Sequence, residues 1–125
     1  MPRYVVLEHR WNGVHWDFML EIEPGEGLRT WAIDEEIVAG RDLSARALPD
    51  HRAAYLDHEG KVSGGRGTVR RFDRGECTVV EWSNELVKVD LRGDQLDGLV
   101  ELRRAVAGTG GGASALWVFR LGNRD

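Results

Sequence analysis

Two histidines and an aspartate stand close together near the start of the chain, and their spacing suits a metal ion. In Val14-His15-Trp16-Asp17-Phe18-Met19-Leu20-Glu21-Ile22 apolar and polar residues alternate, the signature of a strand. Val14, Trp16, Phe18, Leu20 and Ile22 share the face that packs. His15, Asp17, Met19 and Glu21 share the other, which sets an imidazole and a carboxylate about 6.5 to 7 Å apart along the strand. His9 is the third candidate ligand. Trp11-Asn12-Gly13 suits a three-residue hairpin loop, with Gly13 in the left-handed conformation that closes a bulged turn. That register places His9 opposite His15, with β-carbons about 5 Å apart, whereas a two-residue loop would separate them. Two imidazoles and one carboxylate leave coordination positions open, as a catalytic site requires, and these donors suit Mn, Fe(II), Zn or Co. The competing reading of His15 and Asp17 is a half-exposed polar strand face.

His51 and Tyr55 add a second group. They lie four residues apart, so one helical turn would put them on one face. Imidazole and phenol both donate hydrogen bonds to phosphate oxygens, and His51 suits a general acid. The plainer account of His51, and of His58 beside Glu59-Gly60, is a solvated loop histidine. Arg66, Arg70, Arg71 and Arg74 are close enough in sequence to form a cationic patch, or a solvated strand edge balanced by Asp73 and Glu76. Cys77 has no partner for an internal disulfide and reads as a small packed residue of a strand.

These residues need a rigid frame, and the chain patterns mostly as strands. Arg3 to Glu8, Val14 to Ile22, Leu28 to Ile33, Gly67 to Phe72, Cys77 to Trp82, Glu85 to Leu91, Leu96 to Arg103 and Leu116 to Leu121 are each bounded by turn-forming residues. Ser83-Asn84 and Gly93-Asp94 suit hairpin connections. Arg41 to Gly60 is the exception, a long polar and alanine-rich segment that predicts irregular structure with a helical turn. The expected architecture is all-β, a small closed or partly open antiparallel barrel formed by a single domain over residues 1–125. A stretch rich in glycine, Gly108 to Gly112, is the one low-complexity segment. With 42% hydrophobic and 30% charged residues, the composition is that of an ordinary globular protein. The net charge of −4 argues against nonspecific coating of nucleic acid, though not against a compact site for strand ends. No apolar run approaches the roughly 20 residues of a membrane span and no signal sequence opens the chain, so the cytoplasm is the expected compartment, with no membrane partner.

Taken in order, these residues resemble one family. They are His9, His15-Trp16-Asp17-Phe18-Met19-Leu20-Glu21, Trp31-Ala32-Ile33, Asp50-His51, Tyr55, Glu59-Gly60, Gly65, Gly67-Thr68-Val69, Asp73-Arg74-Gly75, Leu91-Arg92-Gly93-Asp94-Gln95-Leu96-Asp97-Gly98, Leu102-Arg103 and Trp117. The family is the 3′-phosphoesterase module of bacterial ligase D, which also occurs as a stand-alone protein. The resemblance covers nearly the whole chain. It implies a small β-barrel and a Mn²⁺-dependent activity that removes 3′-terminal ribonucleosides and 3′-phosphates, leaving ends suited to repair synthesis and ligation. It places the metal ligands on His9, His15 and Asp17, the phosphate-contacting pair on His51 and Tyr55, and a functional glutamate on Glu21. The implied partners are nucleic acid 3′ ends, DNA or RNA–DNA primer-templates, and repair ligases or polymerases.

One departure bears on activity. The family carries a phosphate-contacting arginine two residues after the metal-binding aspartate, and here that position is Met19. A thioether neither neutralises phosphate nor donates a hydrogen bond. Loss of one such donor can cost on the order of 3 kcal/mol of transition-state stabilisation. Arg52 or Arg66 could fill the gap, the substrate could differ, or the protein could be a degenerate binder of strand ends or repair proteins. A 2-His-1-carboxylate set also permits a hydrolase or oxygenase acting on small molecules. His58 is a second departure, since the family carries an aromatic residue before its Glu-Gly.

Overall fold

Nine strands and one short turn of 3-10 helix account for the regular structure in the computed structural model, which describes residues 2–105 and 116–124. The glycine-rich stretch Gly108 to Gly112 lies outside the described residues. The strands are β1 (Arg3–Arg10), β2 (Val14–Glu21), β3 (Leu28–Ile33), β4 (Leu43–His51), β5 (Gly60–Lys61), β6 (Thr68–Trp82), β7 (Leu86–Gly93), β8 (Asp97–Arg104) and β9 (Leu116–Gly122). The 3-10 turn η1 covers Ala53–Leu56. All pairings are antiparallel, in the order β1-β2-β3-β4-β9-β8-β7-β6, and β1 pairs back onto β6. This closes an eight-stranded barrel, with β5 added along the start of β6. Closure leaves no long free edge among the described residues to template aggregation.

Two corrections to the expected strand map have clear causes. Arg41 to Gly60 is not strandless: it holds all nine residues of β4 before the η1 turn. Its alanines are what the barrel interior needs there. Ala45 pairs with Trp117 and Ala47 with Trp31, and those two indoles pack edge to face with centroids 5.8 Å apart. Small residues opposite large rings let the layers interdigitate. Second, the segments Gly67 to Phe72 and Cys77 to Trp82 are one continuous 15-residue strand. Asp73-Arg74-Gly75, which reads as a boundary, is where β6 changes partner, from β1 to β7. At Gly75 the backbone approaches Arg92 and Gly93 so closely that any side chain would collide.

Asp73 anchors this change of partner. It is 2% exposed and accepts hydrogen bonds from the Tyr4 hydroxyl at 2.6 Å and the amides of Gln95 and Leu96 at 2.9 Å each. Burial and the Asp73 carboxylate push the Tyr4 phenol well above its ordinary range, so it stays protonated and donates. Asp73→Ala is therefore expected to destabilise the barrel by on the order of 3 kcal/mol, and Tyr4→Phe by about 1.5 kcal/mol. Urea unfolding measures both; equal, negligible losses would remove Asp73 from this role.

Side chains of β2 split between two cores. Trp16, Phe18 and Leu20 fill the barrel interior with Tyr4, Val6, Trp31 and Phe119. The opposite face is largely covered as well, with Asp17, Met19 and Glu21 buried and His15 half-buried. Met19 belongs to a second apolar cluster on the outer wall, with Val5, Leu7, Leu28, Leu56, Val62 and Val69. Each large aliphatic side chain buried there contributes about 1.5–3 kcal/mol. Leu56 of η1 and Val62, just after β5, belong to this cluster, so the 53–62 segment is held against the β1–β2 wall.

Candidate metal centre

The hairpin joining β1 to β2 decides where the three candidate ligands meet. Trp11, Asn12 and Gly13 form its loop, with the Trp11 amide donating to the Gly13 carbonyl at 3.0 Å. The left-handed residue is Asn12 (φ 55°), followed by Gly13 at φ 115°. This loop sets His9 opposite His15 and Leu7 opposite Asp17. The expected register is the observed one.

Within this register the donor atoms of His9, His15 and Asp17 lie within 4.8 Å of one another. His9 Nδ1 is 3.4 Å from Asp17 Oδ2, and His15 Nε2 is 3.0 Å from Asp17 Oδ1. His9 Nε2 donates to the Arg66 carbonyl at 2.7 Å. A carbonyl only accepts, so the neutral ring carries its proton on Nε2 and turns the Nδ1 lone pair toward Asp17. Such an outer hydrogen bond fixes tautomer and ring orientation, as the second contact of a metal-bound histidine does. The Arg66 carbonyl is held there by Gly67 (φ 76°), where a side chain would strike the Arg10 backbone.

Asp17 is 2% exposed, and its Oδ1 has no well-directed hydrogen bond despite the nearby His15 nitrogen. A buried carboxylate oxygen without a donor is costly, and it fits a site made to hold a cation. Burial alone pushes the Asp17 carboxyl up, but His15 and His9 outweigh it and hold the carboxyl below its ordinary range. The Asp17 carboxylate in turn raises the His9 imidazole above its usual value, against the lowering effect of burial. The donor set is therefore an anion flanked by two imidazoles in a poorly solvated wall.

This cluster opens onto a cleft of about 440 Å³. His9, Asp17 and Met19 form one wall, and the end of β4 with the following turn forms another, through Pro49, Asp50, His51, Arg52 and Tyr55. His51 ends β4 opposite Leu28, and Tyr55 sits in η1, so the expected single helical turn does not carry both. They still meet, with rings edge to face and centroids 5.7 Å apart. His51 Nδ1 donates to the Pro49 carbonyl at 3.0 Å, which leaves Nε2 for a ligand. Arg52 and Arg66 also line the cleft.

Other expected site residues are placed elsewhere. Glu21 is not brought to the cleft. It is 4% exposed, receives Arg3 Nε at 3.3 Å and the Gly25 amide at 3.5 Å, and so ties down the turn after β2. The cationic patch is dispersed: Arg70 pairs with Glu8, Arg71 faces Glu59, and only Arg66 of the four reaches the cleft. Cys77 is buried inside the barrel, which pushes its thiol up to about 11. Sequence reasoning missed the Arg66 carbonyl and the place of Asp50 in the cleft wall. The first is a backbone group, announced only by the nearby glycines, and the second follows from the unrecognised β4.

Among the described residues no helix is long and apolar enough to cross a membrane. No curated protein matches the sequence. Residues 7–104 match the family model of the DNA ligase D 3′-phosphoesterase domain. That span runs from β1 to the end of β8 and contains the His9–His15–Asp17 cluster and the His51–Tyr55 pair. The family is one of phosphoesterases acting on nucleic acid ends, and with most of its length matched this chain belongs to it.

Proposed function

We propose that the protein is a metal-dependent 3′-end-processing phosphoesterase of DNA repair, with His9, His15 and Asp17 as the ligands of a Mn²⁺ ion. The reading is carried by one observation: three donor groups, including a buried carboxylate oxygen without a hydrogen bond, converge on the wall of a cleft rimmed by hydrogen-bond donors and cations. Zn²⁺, Co²⁺ and Fe²⁺ suit the same donors. The chemistry supplied by such an ion is Lewis-acid polarisation of a phosphoryl oxygen and activation of the attacking oxygen.

The chain's own groups do the rest. His51 and Tyr55 face the cleft together and donate hydrogen bonds to phosphate oxygens. A protonated His51 holds its second proton at Nε2, positioned to pass to the leaving oxygen. Arg52 and Arg66, which also line the cleft, neutralise phosphate charge. Met19, Val62 and Val69 keep part of the cleft apolar, which strengthens these charge interactions. Glu21 is assigned no chemical step. The substrates are 3′-phosphates or 3′-ribonucleotides on DNA or RNA–DNA primer-templates, and a repair polymerase or ligase would receive the trimmed end.

A second reading, a noncatalytic module for strand ends or repair proteins, is favoured by one feature. Met19 is 1% exposed and belongs to the outer apolar cluster, so the arginine position has become part of the packing.

Release of phosphate from a 3′-phosphorylated primer-template is expected with added Mn²⁺ and not in EDTA. The rate is expected to rise with pH through the raised His9 value. Below it a proton occupies the ligand nitrogen and competes with the ion, and above it the lone pair is free. Protein that binds one of the four metals tightly yet releases nothing with any of them would defeat the catalytic reading in favour of the second.

A further inference from the structure

A smaller cavity of about 150 Å³ adjoins the metal cleft, and Arg52 and Tyr55 line both. Ala54, His58, Lys61 and Ser63 complete it. We infer that this cavity binds the phosphodiester next to the strand end, so that the chain grips two successive phosphates. The inference rests on the end-processing reading above and names the part of the substrate that reading leaves open.

Charge is the first argument. The net charge of the chain is −4, yet no acidic residue lines this cavity, while Arg52 and Lys61 do. Neither makes an ion pair among the described residues, whereas most arginines elsewhere on the barrel do. Two neighbouring carboxylates are engaged elsewhere: Glu59 accepts from the Arg71 amide at 2.9 Å and faces its guanidinium, and Asp50 pairs with Arg29 at 3.4 Å. Unpaired cations in a concave, acid-free pocket suit an anion.

Donor geometry is the second. Arg66 donates to the Ser63 carbonyl at 2.8 Å and to Ser63 Oγ at 3.3 Å. Ser63 Oγ thus accepts from one side, and its own proton is left to donate into the pocket. His58 Nε2 donates to the Lys61 carbonyl at 2.9 Å, which fixes the ring beside the pocket. Tyr55 lies between the two histidines, with centroids 5.7 Å from His51 and 5.5 Å from His58. Tyr55 is then the partition, with a terminal phosphate toward His51 and the next linkage toward His58. With Nε2–H taken by the Lys61 carbonyl, it is the protonated His58 ring that has a further proton, on Nδ1, to donate to that linkage.

The test is binding of labelled single strands with a 3′-phosphate to the full chain, in EDTA so that no turnover intervenes. One strand is all phosphodiester, a second carries a single uncharged methylphosphonate at the linkage nearest the 3′ end, and a third carries it several linkages away. The first and third are expected to bind alike, and the second roughly tenfold more weakly. Lys61→Ala and His58→Ala are each expected to remove most of that difference without changing the Kd of the second strand. Equal binding of all three, or a preference that survives both substitutions, overturns the second phosphate site and leaves the end-processing reading standing. Failure to bind any 3′-phosphorylated strand, together with no phosphate release in Mn²⁺, overturns both.

Discussion

Asp17→Ala is expected to abolish metal binding and phosphoesterase activity together, with a rate loss of at least 10³-fold or so, since losing a mere outer-shell partner typically costs 10–100-fold. Asp17 contributes the one negative charge of the donor set and lies between both imidazoles, 3.4 and 3.0 Å from their nitrogens. Without it two histidines face a buried hole, and neither alone neutralises a divalent ion. Asp17→Asn keeps the shape and removes the charge, so it separates packing from electrostatics and is expected to fail equally in Mn²⁺ titration calorimetry. The metal-free protein gives an independent reading. The Asp17 carboxyl is held below its ordinary value, so its contribution to stability is present above about pH 4 and lost in acid. The His9 imidazole is raised, so its contribution is present below about pH 6.5 and lost as pH climbs through the folded value. The stability difference between wild type and Asp17→Ala should therefore peak between those limits. A variant that still binds Mn²⁺ with wild-type affinity would remove Asp17 from the ligand set.

Why this centre is readable from residues, while other parts are not, comes down to the range of the interactions. The β2 alternation and the three-residue loop after Arg10 are local, so they determine the His9–His15 register before any tertiary contact forms. The barrel class follows from many short strands. Strand β4 escapes because its sequence, Leu-Ser-Ala-Arg-Ala-Leu-Pro-Asp-His, has weak β propensity, and only the distant Trp31 and Trp117 rings make alanine the right residue there. The break expected around Asp73 fails for the same reason. Its turn-like composition serves hydrogen bonds to Tyr4, 69 positions earlier, and to Leu96, 23 positions later. Burial of the polar face of β2 is equally nonlocal, because Leu56 and Val62 arrive from another part of the chain to cover Met19. Glu21 shares that face, but pairing with Arg3 takes it away from the cleft.

Met19→Arg is the change expected to raise activity, by on the order of 100-fold in kcat/KM, the reverse of what deletion of a transition-state donor costs. Met19 sits two residues beyond Asp17 on the same face and lines the cleft, so a longer side chain can lay its stem along Val5 and Leu28 and carry its head to the bound phosphate. The gain should appear in kcat, because charge develops on the phosphate in the transition state more than in the ground state. It should come with a loss of stability of about 1–3 kcal/mol, since the guanidinium is drawn through an apolar cluster and, without substrate, has only the carboxylates of the cleft to pair with. Those two effects in opposite directions explain how methionine is accommodated: at position 19 packing of the outer wall and binding of phosphate compete for one side chain. Arg52 and Arg66 line the same cleft, but neither occupies the strand position beside Asp17, so on the proposed reading they neutralise phosphate without replacing that donor. If a folded Met19→Arg protein shows no gain while Arg66→Ala loses most of the wild-type rate, the cleft arginines already supply the contact, and the thioether is no handicap.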